Sequence, residues 1–544
     1  MTALIELNGS VTSATLIPRL RTDLAAARFT VPGLTGLWGI EADAALFRNQ
    51  RVPARRALAA LATTLGRNEP AATLARLFLL SEPVSSADLD AALPTLRATG
   101  AEQLGLVVVD GVAGDGPAGD ADAGVRPIVD LRPYSFIDAH GAGSWWIVSD
   151  LGELALGHPL GETHVLGIGG ASRTLSGLMM PGAVGRALDI GTGCGIQAMH
   201  ASRHAEHVVA TDISVRALEL AALNAGLNEI DNIEFRLGSL YEPVAGERFD
   251  HIISNPPFVI TPRAEGVPSY EYRDGGMVGD ALVEAVVRGA ADHLTPGGVA
   301  QLLGNWEYPG ETDAFERLDG WLTPVVGLAA HSSEAHSQKL DAWIIEREVQ
   351  SPGEYAETWI RDGGTRPGPD FDRLYDAWLN DFDARDVRRV GFGYLLLRLP
   401  VSAPTLRRLE RMPGALGHNP AGLGAHLAEC LAAHDWQAQT DDARLLSTQL
   451  TVASDVTEER HYWPGQPDPT VMTLHQGSGF GRAVPLDTAL AGLVGACDGD
   501  LAVGAIIGAL AQLLDADEVA LSAELLPKVR DLVADGFLTV PEPV

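Results

Sequence analysis

The sequence predicts an α/β protein centred on a parallel sheet, with a helical, winged-helix-like module before the sheet and an α+β region after it. Three observations carry this expectation. From about Pro181, short apolar runs (ALDI, HVVATD, IEFRL, FDHII) alternate with segments of helical periodicity (CGIQAMHASRH, VRALELAALNAGL, ALVEAVVRGAADHL). Such alternation makes βαβ units and a parallel sheet covered on both faces. The first hundred or so residues carry apolar positions at helical spacing, as in PARRALAALATTL and AATLARLFLL. At 544 residues the chain also exceeds one ordinary core, so two to four domains are expected. The expected divisions are 1–125, 126–350 and 351–544.

In chain order, AATLARLFLL, a turn holding Pro83 and a second helix capped by Ser85 or Ser86 read as a helix-turn-helix. Residues 111–124, GVAGDGPAGDADAG, offer nothing to bury and read as a flexible loop or linker. VRPIVDLRPYSFID and SWWIVSDL read as strands, with Trp145 and Trp146 either core or the lining of a substrate approach. After the α/β region come a Trp- and Asp-rich helical stretch, the strand GYLLLRL, hairpin strands around LSTQLTVASDV and a helical block ending in VADGFLTV. That block imitates a helix-turn-helix with a wing, but residues 487–544 hold ten acids against Lys528 and Arg530. A DNA reader needs the opposite sign, so packing or protein docking is expected.

The balance of 39 Lys+Arg against 71 Asp+Glu, a net charge of −32, repels phosphate backbones unless a local basic patch overrides it. Nucleic acid is therefore disfavoured as a partner. Cys194, Cys430 and Cys497 lie far apart and form no CxxC pair, which argues against a disulfide framework or zinc site and for a reduced cytoplasm. No basic segment leading into an apolar core opens the sequence, and no run reaches the length of a membrane helix. A cytoplasmic protein with no membrane partner is expected. His200, His204, His207 and His251 could be read as a metal site, yet no cysteine or evident acidic ligand accompanies them, so packing or surface roles and no metal are expected.

The chemistry concentrates in two stretches. In ALDIGTGCGIQ, a strand runs into a turn whose Gly191, Gly193 and Gly195 let the backbone bend sharply and approach a ligand closely. VVATD then ends in Asp212, 23 residues after Asp189, where a carboxylate can accept both hydroxyls of a ribose, cap the following helix, or do both. Asp189 just before the turn would repel a pyrophosphate and suits a ligand with a cationic amino acid. The D-x-G-x-G-x-G pattern resembles the first motif of class I S-adenosylmethionine-dependent methyltransferases, and Asp212 resembles their ribose-binding acid. The resemblance covers roughly residues 160–350. It implies a Rossmann-like sheet and S-adenosylmethionine as cofactor.

The second stretch is Ser254-Asn-Pro-Pro-Phe258, at the end of the fourth strand of this unit. Prolines lack N–H donors, so their carbonyls can face a pocket without being tied into a ladder. A planar NH₂ can give one hydrogen to the Asn255 oxygen and the other to the Pro256 carbonyl, with Phe258 stacked on the flat group. The tetrad resembles the N/D-P-P-Y/F/W motif of amino-methyltransferases. NPPFVITP followed by YEYRDGGMVGDALV is similar to the HemK-like glutamine N5-methyltransferases, which modify the Gly-Gly-Gln loop of release factors. The resemblance implies methylation of a protein glutamine; the alternative is adenine N6 or guanine N2 in RNA or DNA. Phe258 departs from the usual Tyr of the HemK group. Ser239 stands where an Asp often reads the cofactor adenine, so stacking and backbone groups are expected to take over that reading. In HVLGIGGASRTLSGLM, the segment expected to cover cofactor and substrate, Thr174 is either a contact residue or a helix cap.

Overall fold

The structure, a computed structural model, describes residues 11–541 apart from 67, 111–123, 158–159, 265–266, 268–272, 274 and 324–339. The expected linker, save Gly124, lies outside the described residues, as do Tyr270–Tyr272 and Asp274 of the YEYRDGG stretch.

Four helices begin the described chain: α1 (Val11–Ala26), α2 (Val31–Trp38), α3 (Ile40–Leu46) and α4 (Val52–Leu65). There follow α5 (Pro70–Leu74), β1 (Val84–Ser85), α6 (Ser86–Ala92), α7 (Arg97–Gln103), β2 (Val107–Val109) and β3 (Gly124–Pro127). The three strands pair in the order β1-β3-β2, so helices and a small sheet make up this module. Ser85 rather than Ser86 caps α6, its hydroxyl accepting the Asp88 amide at 3.1 Å.

β4 (Val129–Asp138) and β5 (Gly141–Asp150) pair with each other and stand apart from the large sheet. Leu131, Ile147 and Val148 bury themselves in the same core as Leu20, Phe78 and Leu89. Trp145 packs on Phe136 and His200, with ring centroids 4.3 and 4.8 Å away, and Trp146 donates its indole N–H to the Phe29 carbonyl at 2.6 Å. Both tryptophans thus hold the hairpin in place.

The central region runs α8 (Glu153–Leu156), α9 (Gly170–Leu178), β6 (Val184–Ile190), α10 (Ile196–Ala201), β7 (Ala205–Asp212), α11 (Val215–Leu227), β8 (Ile233–Leu237), β9 (Phe249–Ser254), α12 (Ala281–His293) and β10 (Leu294–Pro309). It continues through α13 (Ala314–Trp321), β11 (Asp341–Gln350), α14 (Pro352–Asp362), α15 (Pro369–Ala384), β12 (Val387–Arg398) and β13 (Arg407–Arg411). Eight strands form one sheet in the order β13-β11-β12-β10-β9-β6-β7-β8, in which only β12 runs antiparallel to its neighbours. Successive residues alternate between two buried faces. Leu188, Val209, Ile252 and Leu302 face one core, while Ala187, Val208, Ile253 and Leu303 face the other. Strands apolar on both sides suit a sheet covered by helices twice over.

The division expected at 351 does not fall at the edge of the sheet. β12 inserts between β10 and β11, so the sheet extends to Arg411 and the α14–α15 pair is an insertion between two of its strands. GYLLLRL is legible as a strand; its partners, set by contacts far apart in the chain, are not.

Beyond the sheet, strands Gln449–Val452, Asp498–Ala502 and Leu538–Thr539 form a second small sheet. Helices Thr488–Gly495, Val503–Leu513 and Glu518–Ala534 pack with it around Leu493, Ile507, Leu525 and Val529. Arg408 of β13 reaches Asp535 at 2.6 Å, and Arg482 reaches Glu410 at 2.7 Å, which fastens this block to the sheet edge. Among the described residues no helix is long and apolar enough to cross a membrane.

Candidate functional site

Strand order reverses between β6 and β9, and in open α/β sheets ligands sit at such a point, beyond the C-terminal ends of the strands. A cavity of about 370 Å³ lies there, lined among others by Gly191, Gly193, Asp212, Ser239, Asn255, Pro256 and Phe258. The hydroxyl of Ser254 donates to the Ile190 carbonyl at 2.9 Å, which locks the end of β9 to the end of β6. Glycine turn and acceptor tetrad are thereby held side by side.

Gly191 and Gly193 have φ of +73° and +55°, and a Cβ built on either meets nothing within 4 Å, so their backbone lies open to the cavity. Gly195 does not line it. Its φ is +86° and a Cβ there would come within 2.9 Å of the Ala221 Cβ, so this glycine lets α11 approach the turn.

The expectation that Asp189 faces a ligand is not met. The side chain is fully buried beneath the turn, and its Oδ2 accepts the Thr192 hydroxyl at 2.6 Å and the Ala198 amide at 3.0 Å. Burial pushes its carboxyl up to about 7. It lies at the strand's end, pointing toward the start of α10 rather than outward, so it shapes the loop from below. Asp212 does line the cavity, accepting the Gly193 amide and the Ser214 amide, each at 2.9 Å. The cap of α11 is Ser214, not Asp212. Cys194 also borders the cavity, but burial pushes its thiol up to about 11, so it is no nucleophile at neutral pH.

At the other end, the Asn255 Oδ1 is buried and, among the described residues, makes no hydrogen bond. Such an orphan is costly unless something is to meet it. The Phe258 ring leans on Phe392 and Trp359, with centroids 5.6 and 6.3 Å away. Arg273, Trp359 and Asp362 line the same cavity and escaped the sequence reading. Arg273 donates to the Trp359 carbonyl at 3.0 Å, and the Val259 amide donates to the Arg273 carbonyl at 2.9 Å. Burial raises the Asp362 carboxyl.

Thr174 is not among the lining residues. The wall there is made by Gly169–Ser172 at the start of α9, with Gln197 of α10 donating to the Ser172 carbonyl at 2.8 Å. Two residues separate the expected Thr174 from the end of the wall at Ser172. The histidines pack: His204 Nε2 lies 2.9 Å from His251 Nδ1, whose Nε2 lies 3.0 Å from Gln301 Oε1, and His200 Nε2 lies 3.2 Å from the Tyr134 hydroxyl. Among the described residues no three His, Cys, Asp or Glu side chains are grouped to hold a metal ion.

A methyltransferase small domain model matches residues 168–319, and two domains of unknown function, DUF7059 and DUF7782, match 26–118 and 428–540. The chain is 37% identical over 149 residues to a ribosomal protein uL3 glutamine methyltransferase of Bradyrhizobium diazoefficiens, across 26% of this chain and 46% of that one. It is 38% identical over 131 residues to a release factor glutamine methyltransferase of Xylella fastidiosa, across 22% and 47%. A release factor glutamine methyltransferase of Geobacter sulfurreducens is 38% identical over 151 residues, across 24% and 53%. The chain spans about half the length of the curated relatives it matches. Residues 168–319 thus match a methyltransferase small domain, set between matches to two domains of unknown function, and are similar to protein glutamine methyltransferases.

Proposed function

We propose that this chain transfers a methyl group from S-adenosylmethionine to a planar NH₂ nitrogen, and that the acceptor is a glutamine side chain of a protein. The observation that carries the reading is the buried, unbonded Asn255 Oδ1 at the mouth of β9, in the same cavity as Gly191, Gly193 and Asp212. The residues present suit the cofactor. Two glycines bare their backbone to the cavity, and Asp212 offers a carboxylate where ribose hydroxyls would lie. The volume falls within the range of small-molecule sites. Ser239 at the turn after β8 leaves adenine to stacking and main-chain groups.

When bound, S-adenosylmethionine supplies an electrophilic methyl group on a sulfonium. The chain's own work is orientation. Asn255 Oδ1 and the Pro256 carbonyl each accept one hydrogen of the acceptor NH₂, which fixes the nitrogen's position and turns its face toward the cofactor end. Phe258, backed by Phe392 and Trp359, presents a flat apolar surface to the amide and displaces water. An amide nitrogen is a poor nucleophile, so the gain comes from alignment and from acceptors placed for the N–H groups as they acidify. No side chain need act as a base. The proton leaves during or after transfer.

The names of the relatives supply the acceptor class, since they act on glutamine in a ribosomal protein or in release factors. A Gly-Gly-Gln loop is the corresponding candidate here, and a cytoplasmic location accords with three free, buried cysteines. The test is to incubate the purified chain with methyl-labelled S-adenosylmethionine and fractionated host lysate, then locate the label by peptide mass spectrometry. Label on glutamine is expected. Label that follows RNA, or protein label on another residue type, would overturn the acceptor.

A further inference from the structure

With Asp189 turned under the loop and absent from the cavity wall, the α-ammonium of the cofactor has no carboxylate waiting where the sequence suggests one. Gln197 stands nearby. It is the second residue of α10, it is 3% exposed, and it lines the cavity. Its Nε2 donates to the Ser172 carbonyl at 2.8 Å, while its Oε1 is buried and, among the described residues, meets no donor. The amide is held in this sense, because a flip would set its oxygen against the Ser172 carbonyl oxygen. Helical side chains tilt toward the N-terminus of their helix, so Gln197 leans back toward the glycine turn. A buried acceptor with no donor is costly to keep unless a ligand supplies one.

We infer that Gln197 binds the amino-acid end of S-adenosylmethionine, its Oε1 accepting a hydrogen from the α-ammonium. The inference rests on the proposed reading of the cavity as the cofactor's site. S-adenosylmethionine offers three kinds of donor: ribose hydroxyls, the adenine amino group and the ammonium. The hydroxyls fall to Asp212 at the end of β7, and the adenine to main-chain groups near Ser239 after β8. Gln197 follows β6 instead and is tied to α9 through Ser172, on the other wall. Asp362 also lines the cavity, but it lies three residues from Trp359 on α14, whose ring leans on Phe258, so it belongs to the acceptor end. The ammonium is the donor left for Gln197. A neutral amide also bears burial before the ligand arrives at less cost than a carboxylate would, and the ammonium then makes the bond a charge-assisted one.

Calorimetry on the full chain tests this with three ligands: S-adenosylhomocysteine, its analogue with hydrogen in place of the α-amino group, and methylthioadenosine, which lacks the amino-acid end. The variants are Gln197→Met, which keeps the side chain's length without its acceptor, and Gln197→Glu, which keeps an acceptor. The wild type is expected to bind S-adenosylhomocysteine about tenfold or more tighter than the deamino analogue. Gln197→Met should abolish that preference by weakening S-adenosylhomocysteine alone, and Gln197→Glu should retain it. Methylthioadenosine should bind all three proteins alike; a variant that loses it is misfolded, and the other then decides. Equal binding of the first two ligands by the wild type overturns the inference without any variant. So does a Gln197→Met protein that keeps the preference or loses both ligands equally, as a merely structural glutamine would require, or a Gln197→Glu protein without the preference. A wild type that binds none of the three refutes the cofactor reading itself, and the inference with it. No methyl transfer is measured, so the identity of the acceptor does not enter.

Discussion

The Tyr355 hydroxyl oxygen accepts the main-chain N–H of Ile260 at 3.0 Å, across 95 residues of sequence. Ile260 lies two residues beyond Phe258, so the loop bearing the acceptor tetrad is braced by α14, a helix inserted between two strands. Asn305 of β10 donates to the same oxygen. Tyr355→Phe would leave a buried backbone amide and a buried side-chain amide without their acceptor. We expect a loss of about 1–3 kcal/mol in unfolding free energy and a fall in kcat, with cofactor affinity unchanged. Urea unfolding and calorimetry check both halves.

Asn255→Ala removes the acceptor assigned to the substrate nitrogen and nothing assigned to the cofactor. Turnover is expected to vanish while S-adenosylmethionine binds nearly as in the wild type. A variant that loses cofactor binding as well would mean that Asn255 supports the loop rather than the reaction.

Asp212→Ala should act on the opposite half of the cavity. Loss of a charge-assisted contact to ribose costs about 1.5–3 kcal/mol, or roughly ten- to hundredfold in Kd by calorimetry. Unchanged affinity would remove Asp212 from the cofactor site.

Those two halves were legible because each announces itself locally. A strand, a run of glycines and an acid at the next strand's end put backbone and charge at one place in any parallel sheet, and Asn-Pro-Pro-Phe marks where a fourth strand stops. Asp189 misled because sequence gives position along a strand but not direction: its side chain turns under the loop to hold Thr192 and Ala198. Thr174 missed by two residues, since the wall is set by where α9 starts and ends at Ser172. Trp359 and Asp362 were out of reach because they come from the α14–α15 insertion, about a hundred residues downstream of Asn255. The one hint, a Trp- and Asp-rich helical stretch, says nothing of which cavity it covers.

Stability should fall steeply in mild acid. Burial pushes His200 and His204 down to about 4 and His251 down to about 3, so in the unfolded chain each takes up a proton near its ordinary value of 6.5 before the folded chain does. Their contribution is intact above about 6.5 and lost as pH falls below it. Asp189 works the other way: its folded value of about 7 exceeds its ordinary 3.8, so the native state keeps a proton that the unfolded chain has released. With His426, which burial also pushes down to about 4, four histidines stand against the one carboxyl, so the unfolded state holds more protons between about pH 4 and 6.5 and stability falls as pH falls through that window. Denaturant unfolding at pH 7.5, 6 and 5 measures it. His251→Gln should flatten the fall, and a profile with no slope in this window would contradict the neutral buried rings.

The terminal block is expected not to grip nucleic acid, although its helices and small sheet follow a winged-helix pattern. Residues 487–544 carry ten acids against Lys528 and Arg530, and both bases are already engaged: Lys528 with Asp487 at 2.6 Å, Arg530 with Asp442 at 2.8 Å. Binding to DNA or RNA begins with cations displacing counterions from phosphate, and this block would instead bring a negative face to them. Its helices bury Leu525, Val529 and Leu532 in a core shared with Leu445, Leu450 and Leu474, and Asp535 accepts from Arg408 on the edge strand of the main sheet. Removing residues 487–541 would therefore bare that core's partners and strand Arg408 without its acid. The expected outcome is a lower melting temperature or poorer solubility, with retention of RNA and DNA unchanged in a low-salt gel shift. Salt-sensitive retention by the full chain that disappears on deletion, with the melting temperature preserved, would show that the block reads nucleic acid after all.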